Sequence, residues 1–312
     1  MPGKIIKECM TYKSGFVAII GRPNVGKSTL LNQILEQKIV ITTDRAQTTR
    51  KRVKGILTTE EGQIIFIDTP GIHKPLNKLG EYLMDEAKIA VPDADVILFL
   101  VDGTEPAGRG DKWIVDNVLL PSQTGPNPIP IIIVMNKMDN INNTLKVEEN
   151  LLTYKMLFET NLPSVKISAK TGRNKKAVVE AIMKKLPLGE KLYPDDVVTE
   201  ETVRSIAQEI IREKILINTQ DEIPHSVAVL IEKFQETETI DRIYASIYCE
   251  QTSQKGMIIG KGGAMLKTIG TQARQELERL VDKKVYLELN VKVEKDWRKK
   301  NKSLKTFGYE SI

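Results

Sequence analysis

An apolar, strand-like run from Phe16 to Ile20 leads directly into Gly21-Arg22-Pro23-Asn24-Val25-Gly26-Lys27-Ser28, and then into a helical segment from Thr29 to Leu35. Strand, G-x-x-x-x-G-K-S loop and helix in that order form the context of a phosphate-binding loop. Gly21 and Gly26 let the backbone turn its N–H groups inward, so that successive amides and the positive helix end surround a β-phosphate. Lys27 reaches the β- and γ-phosphates, and Ser28 offers its hydroxyl to Mg²⁺.

Further strand-like runs lie at Ile64 to Ile67, Val96 to Val101, Ile131 to Met135 and Val165 to Ile167, separated by helical segments and closed by a last helix from Asn174 to Leu186. This alternation predicts an α/β fold, a P-loop domain with a mostly parallel sheet and helices on both faces. Several runs end on residues suited to ligand chemistry. Asp68-Thr69-Pro70-Gly71 puts a carboxylate at the carboxyl end of a strand, where open α/β sheets bind ligands. Asp68 is expected to hold Mg²⁺ through water, and the Gly71 N–H to sense the γ-phosphate.

Asn136-Lys137-Met138-Asp139 follows the Ile131 to Met135 run. Asp139 can accept from both the ring N–H and the exocyclic amine of guanine, whereas adenine would leave it unpaired at a cost of about 1–3 kcal/mol. Asn136 is expected to tie this loop to the phosphate loop, and the Lys137 stem to cover a face of the base. Ser168-Ala169-Lys170 follows a short strand, and its backbone N–H groups suit guanine O6. Ala46-Gln47-Thr48-Thr49-Arg50 lies in a polar stretch without periodicity and reads as a mobile switch segment. One threonine there completes the Mg²⁺ shell, and spacing does not choose between Thr48 and Thr49. GTP or GDP with Mg²⁺ is the expected ligand.

Pro187-Leu188-Gly189 and Tyr193-Pro194-Asp195-Asp196 break regular structure. The expected organisation is an N-terminal segment 1–13, a GTP-binding domain 14–186, a linker 187–201 and a smaller α+β domain 202–312. The last opens with a helix from Glu201 to Leu216. Strands at His225 to Phe234 and Arg242 to Glu250 follow, then Ile258-Ile259-Gly260-Lys261-Gly262-Gly263, a helix through Leu266 and Leu280, and a strand from Val285 to Val293. That order resembles the type II KH fold. Gly260 and Gly263 let a tight loop approach a nucleic-acid backbone, with Lys261 and Lys267 beside phosphates and Ile258 and Ile259 flooring a groove for about four nucleotides.

Charge points the same way. The chain carries 46 Lys+Arg against 41 Asp+Glu, and the excess sits between Lys292 and Lys305, with seven basic and two acidic residues. That tail, with Arg298, Lys299 and Lys300, is a footprint for a polyanion. Its Trp297, Leu304 and Phe307 suit a packed helix better than a free arm. Cys9 and Cys249 stand far apart without metal-site spacing, which fits a reducing compartment. No apolar run approaches the roughly 20 residues of a membrane span, and the first residues lack a signal-peptide core.

Together GRPNVGKS, QTTR, DTPGIHKP, NKMD, SAKTG and IIGKGG resemble the Era GTPases from near residue 14 to the C-terminus. The resemblance implies a monomeric, cytoplasmic GTPase that binds the 3′ end of 16S rRNA and acts in assembly of the small ribosomal subunit. It favours Thr49, which adjoins Arg50 as in related switch loops. It also places Asn24 where glutamine-lacking relatives hold K⁺. Ile72 stands where Ras-like proteins orient the attacking water with glutamine, so intrinsic hydrolysis should be slow. His73 follows it, a candidate base of less weight. The rival is a membrane-surface signalling GTPase whose tail docks on anionic lipid, peripheral on the inner face of the cell membrane.

Overall fold

The computed structural model describes residues 11–309, apart from 44, 46–47, 73–74, 125, 159 and 221–222. Cys9, Ala46, Gln47, His73 and Lys74 therefore lie outside the described residues. The described residues divide into two compact units: those within 1–40, 49–74 and 83–200 form one, and those within 41–48, 75–82 and 201–312 the other.

The first unit is built on a six-stranded sheet in the order β2-β3-β1-β4-β5-β6. Its strands are β1 (Lys13–Ile20), β2 (Val53–Thr58), β3 (Gly62–Asp68), β4 (Val96–Asp102), β5 (Ile131–Asn136) and β6 (Ser164–Lys166). Only β2 runs antiparallel to its neighbour. Every residue of β3 and β5 is buried, because helices cover both faces and the interior of a parallel sheet must be continuously apolar. Two clusters fill the two faces, one around Phe99, Ile133 and Tyr154, the other around Leu30, Leu98 and Ile182. The helices are α1 (Lys27–Leu35), α2 (Lys78–Ile89, grouped with the other unit as far as Tyr82), α3 (Arg109–Ile114), α4 (Thr144–Lys155) and α5 (Lys175–Met183).

β2 is the element that sequence patterning missed. Only Gly55 and Ile56 of its six residues are buried, so its apolar content is too low to announce a strand. A Cβ at Gly55 would lie 2.7 Å and 2.8 Å from methyls of Leu35 and Leu31 on α1, and glycine lets the helix settle onto this strand. The stretch after α5 is also more ordered than its turn chemistry implies. The Gly189 N–H donates to Tyr12 O at 3.1 Å, Ile56 N–H donates to Val198 O at 2.8 Å, and the Thr199 hydroxyl donates to Lys54 O at 2.7 Å. Between these points Gln63, fully buried, donates to Tyr193 O and accepts from the Leu192 and Tyr193 N–H groups at 2.8–2.9 Å.

The second unit carries α6 (Val203–Asn218), α7 (Ile223–Ser226), β7 (Ala228–Gln235), β8 (Ile240–Cys249), α8 (Thr252–Ile259), α9 (Ala264–Val281), β9 (Lys284–Val293) and α10 (Asn301–Thr306). β8 is the central strand, antiparallel to β7 and parallel to β9. Two sequence expectations are corrected here. The strand foreseen from His225 starts at Ala228, because Pro224 and the Ser226 hydroxyl, which donates back to Ile223 O at 3.2 Å, form a helical turn first. α8 precedes the glycine loop unannounced, its start fixed by Gln254 accepting from the Glu250 and Gln251 N–H groups at 2.8 Å and 3.0 Å. The tail is packed: the Trp297 indole N–H donates to Ser226 O at 2.8 Å, and its rings meet Phe307 edge-on at 5.2 Å and stack with Tyr309 at 6.0 Å. Among the described residues no helix is long and apolar enough to cross a membrane.

Candidate nucleotide site and nucleic-acid groove

The loop after β1 wraps the start of α1, with Gly26 at φ 99° and Asn24 at φ 62°. Lys27 folds over this loop, donating to Gly21 O at 3.1 Å and Arg22 O at 3.0 Å. Its ammonium is almost sealed from solvent, and burial brings its pKa down to about 8, against the pull of Asp68. A lysine held uncomfortably charged over carbonyls is ready to exchange them for phosphate oxygens. The Arg22 side chain is directed elsewhere, paired with Glu105 and, at 3.0 Å, with Asp111. Of Arg22 only the backbone is therefore left to the nucleotide.

Ser28, Thr49 and Asp68 converge. The Ser28 hydroxyl donates to Asp68 Oδ2 at 2.7 Å and lies 2.8 Å from the Thr49 hydroxyl, which itself donates to Asp68 Oδ2 at 3.2 Å. Asp68 is fully buried, and its Oδ1 has no hydrogen-bond partner among the described residues. Burial pushes this carboxyl above its usual range, against the pull of Lys27 and Ser28. Hard oxygen donors around a buried, unsatisfied carboxylate fit Mg²⁺, which binds through few protein oxygens plus phosphates and water. Thr48 faces away: its hydroxyl donates to Arg45 O at 2.6 Å and lies 2.7 Å from that of Thr43. Thr69 is buried, its hydroxyl donating to Ile19 O at 2.7 Å.

Gly71 is pressed against the phosphate loop, where a Cβ would lie 2.6 Å from Pro23 Cα. Ile72 follows with its N–H donating to Gly21 O at 3.2 Å, and its side chain turns into the core, 2% exposed. It is thus oriented away from any attacking water, besides lacking the polar group to hold one.

At the other end, Asn136 Nδ2 donates to Val25 O and its Oδ1 accepts from Ala169 N–H, both at 2.8 Å. One side chain thus joins three loops. The Ser168 N–H donates to Arg173 O at 3.2 Å. Two of the three amides expected to face guanine O6 are therefore occupied within the protein, leaving that task to Lys170 N–H. Sequence reasoning missed Asp102. Burial raises its carboxyl, but hydrogen bonds from Lys137 and Thr104 outweigh that and hold it below the usual range. The visible signal was an aspartate closing the apolar run Val96 to Val101.

In the second unit Gly260, Gly262 and Gly263 have φ of 73°, 59° and 79°. A Cβ at Gly260 would strike the Met265 backbone nitrogen at 2.8 Å, whereas those at Gly262 and Gly263 would meet nothing within 4 Å. The loop is tight behind and open in front. Beside it a groove of about 400 Å³ runs between α9 and β9, lined by Leu266, Lys267, Gly270, Arg274, Leu287 and Leu289. These residues, not Ile258, floor it. Ile258 points into the core with no exposure, and Ile259 packs partly buried against the same cluster. Arg298 is held by Glu250, Nε to Oε2 at 3.1 Å, whereas Lys299 and Lys300 have side chains 72% and 50% exposed.

Two family models match the chain: the 50S ribosome-binding GTPases over residues 16–137 and the KH domain over residues 222–298. GTPase Era of Nostoc sp. is 48% identical over 299 residues, spanning 96% of this chain and 90% of the relative. Among solved structures, Era in complex with MgGDPNP and nucleotides 1506-1542 of 16S ribosomal RNA superposes with a TM-score of 0.91 at 41% identity, covering 96% of this chain and 100% of that one. An Aquifex aeolicus Era variant bound to GDP·AlF4⁻ gives a TM-score of 0.90 at 41% identity over the same shares.

Proposed function

The chain belongs to the GTPase Era family, and on that premise we propose a GTP-hydrolysing switch that binds the 3′ end of 16S rRNA through its KH domain and acts in small-subunit assembly. One observation carries this: a relative matched over 96% of the chain holds both MgGDPNP and a 16S rRNA segment. The matched family model is described by the large subunit. It spans the GTP-binding half alone, so the full-length likeness decides for the small one. We assign 14–186 to GTP binding, 187–201 to the linker and 202–312 to RNA binding, in the cytoplasm where ribosomes assemble.

In this reading the loop amides and Lys27 receive the β- and γ-phosphates. Ser28, Thr49 and Asp68 would hold Mg²⁺, which would supply positive charge against the phosphate oxygens. Asp139 reads guanine, and Asn136 keeps the base loop registered on the phosphate loop. Catalysis rests on pre-placed charge and not on a general base, which makes intrinsic turnover slow. Asn24, in its left-handed conformation, is assigned to K⁺. Equal hydrolysis rates in K⁺ and Na⁺ at matched ionic strength would remove that ion from the account.

The membrane alternative is served best by a free polybasic arm, yet Trp297, Leu304 and Phe307 are all buried and tie the tail down. Binding of the full chain to a short 16S 3′-end oligonucleotide, set against cosedimentation with anionic liposomes, tests the choice. Tight oligonucleotide binding with no liposome pelleting is expected, and the reverse pattern overturns the rRNA assignment.

A further inference from the structure

Asp102 closes β4 at the register position beside Asn136 of β5, so its carboxylate stands next to the loop that begins there. Lys137 Nζ donates to Asp102 Oδ2 at 2.6 Å. The other oxygen accepts the Thr104 N–H at 3.1 Å and the Thr104 hydroxyl at 2.7 Å. The backbone under the carboxylate is fixed as well. The Tyr154 hydroxyl donates to Asp102 O at 3.1 Å, Asn150 Nδ2 to Gly103 O at 3.0 Å, and Gly103 N–H to Asn136 O at 2.9 Å. A Cβ at Gly103 would lie 3.0 Å from Asn136 O and would push the mobile end of the Met138 side chain aside.

Lys137 has a left-handed backbone, φ 66°, and its side chain is one-third exposed. A lysine so placed has many rotamers, and covering a base requires one extended conformation. Anchoring the ammonium removes the others before the nucleotide arrives, lowering the ordering cost of binding.

We propose that Asp102 is a positioning residue for guanine nucleotides: it tethers the Lys137 ammonium so that the methylene stem lies across the face of the base. The proposal rests on the assignment of residues 136–139 to guanine. It concerns the base, which GDP and GTP share, so it predicts a change in nucleotide retention and not in the chemical step.

The test is release of a fluorescent GDP from the full chain, chased with unlabelled GDP. Asp102→Asn keeps the acceptor for Thr104 and removes the charge facing Lys137. Release should quicken about tenfold, the scale of one charged hydrogen bond, and KM for GTP should rise with kcat nearly constant. In a Lys137→Met background, which keeps the stem without the ammonium, Asp102→Asn should no longer change release. Thr104→Val, which leaves both charges, should give a smaller acceleration and serves if Asp102→Asn folds poorly. Wild-type release by Asp102→Asn, or an undiminished effect in the Lys137→Met background, overturns the proposal. Failure of the guanine assignment itself shows separately, as an unaltered base preference in Asp139→Asn whatever Asp102 does.

Discussion

The Ser168 hydroxyl donates to Asp139 Oδ1 at 2.6 Å, joining the two loops at the base end of the nucleotide site. Ser168 is 1% exposed and Asp139 is exposed, so the bond is made from the protein side of the loop and orients the carboxylate before a base arrives.

That contact makes base affinity sensitive to both residues and base choice sensitive to Asp139. Asp139→Asn should shift preference from guanine toward xanthine, because an amide donor meets a second carbonyl where guanine has its amine. Ser168→Ala should weaken binding of both nucleotides by about 1 kcal/mol without changing preference. Competition between GTP and XTP is the measurement, and unchanged discrimination in Asp139→Asn would falsify the assignment.

The depressed Lys27 pKa gives nucleotide binding a pH dependence. In Mg²⁺-free buffer the free protein loses the Lys27 proton near pH 8, whereas a bound diphosphate holds it. Binding above pH 8 must therefore take up a proton, and affinity should fall by up to tenfold per pH unit there and be flat below pH 7. Calorimetry in buffers of different ionisation enthalpy reads the proton uptake. Lys27→Ala should bind weakly with no such dependence.

Ile72 offers a counter-intuitive substitution. Placing glutamine there, as in fast water-orienting switches, should not accelerate hydrolysis, since the side chain is enclosed among core residues. An amide buried in that setting should instead cost about 1–3 kcal/mol of stability. Single-turnover hydrolysis and denaturant unfolding of Ile72→Gln separate the outcomes, and a large rate gain would contradict the placement.

In the RNA-binding half, changing Lys261 and Gly262 together to Asp sets two carboxylates against RNA phosphates. Affinity for a 16S 3′-end oligonucleotide should collapse while GTP hydrolysis persists. Lys299→Ala with Lys300→Ala should weaken binding evenly across sequences and reduce the salt slope by about 0.7 per lost contact. Arg298→Ala should act mainly on stability, because it deprives Glu250, whose side chain is only 12% exposed, of its ion-pair partner. Anisotropy titrations at several salt concentrations read the two binding effects, and denaturant unfolding reads Arg298→Ala.

The residues assigned to the nucleotide form motifs legible in the sequence: Lys27 and Ser28 open the helix after β1, and Asp68, Asn136 and Asp139 stand at or just past strand ends. What escaped was set by three-dimensional partners. Thr48 and Thr49 are adjacent and alike, and only the fold shows which one meets Ser28. Ile258 sits beside the glycine loop, yet the turn of α8 aims it at the core. Asp102 ends β4 while the lysine it holds follows β5, and strand register is not written in either segment alone. β2 was invisible because an edge strand needs little apolar content.

The span over that edge has a practical corollary. A fragment ended at residue 186, just past the last helix of the first unit, would strip the partners from the Ile56 N–H and the buried Gln63 amide. It would also bare a strand rim able to recruit other chains. A GTP-binding fragment should therefore keep the linker to residue 200, and a preparation cut shorter should self-associate even with every nucleotide motif intact.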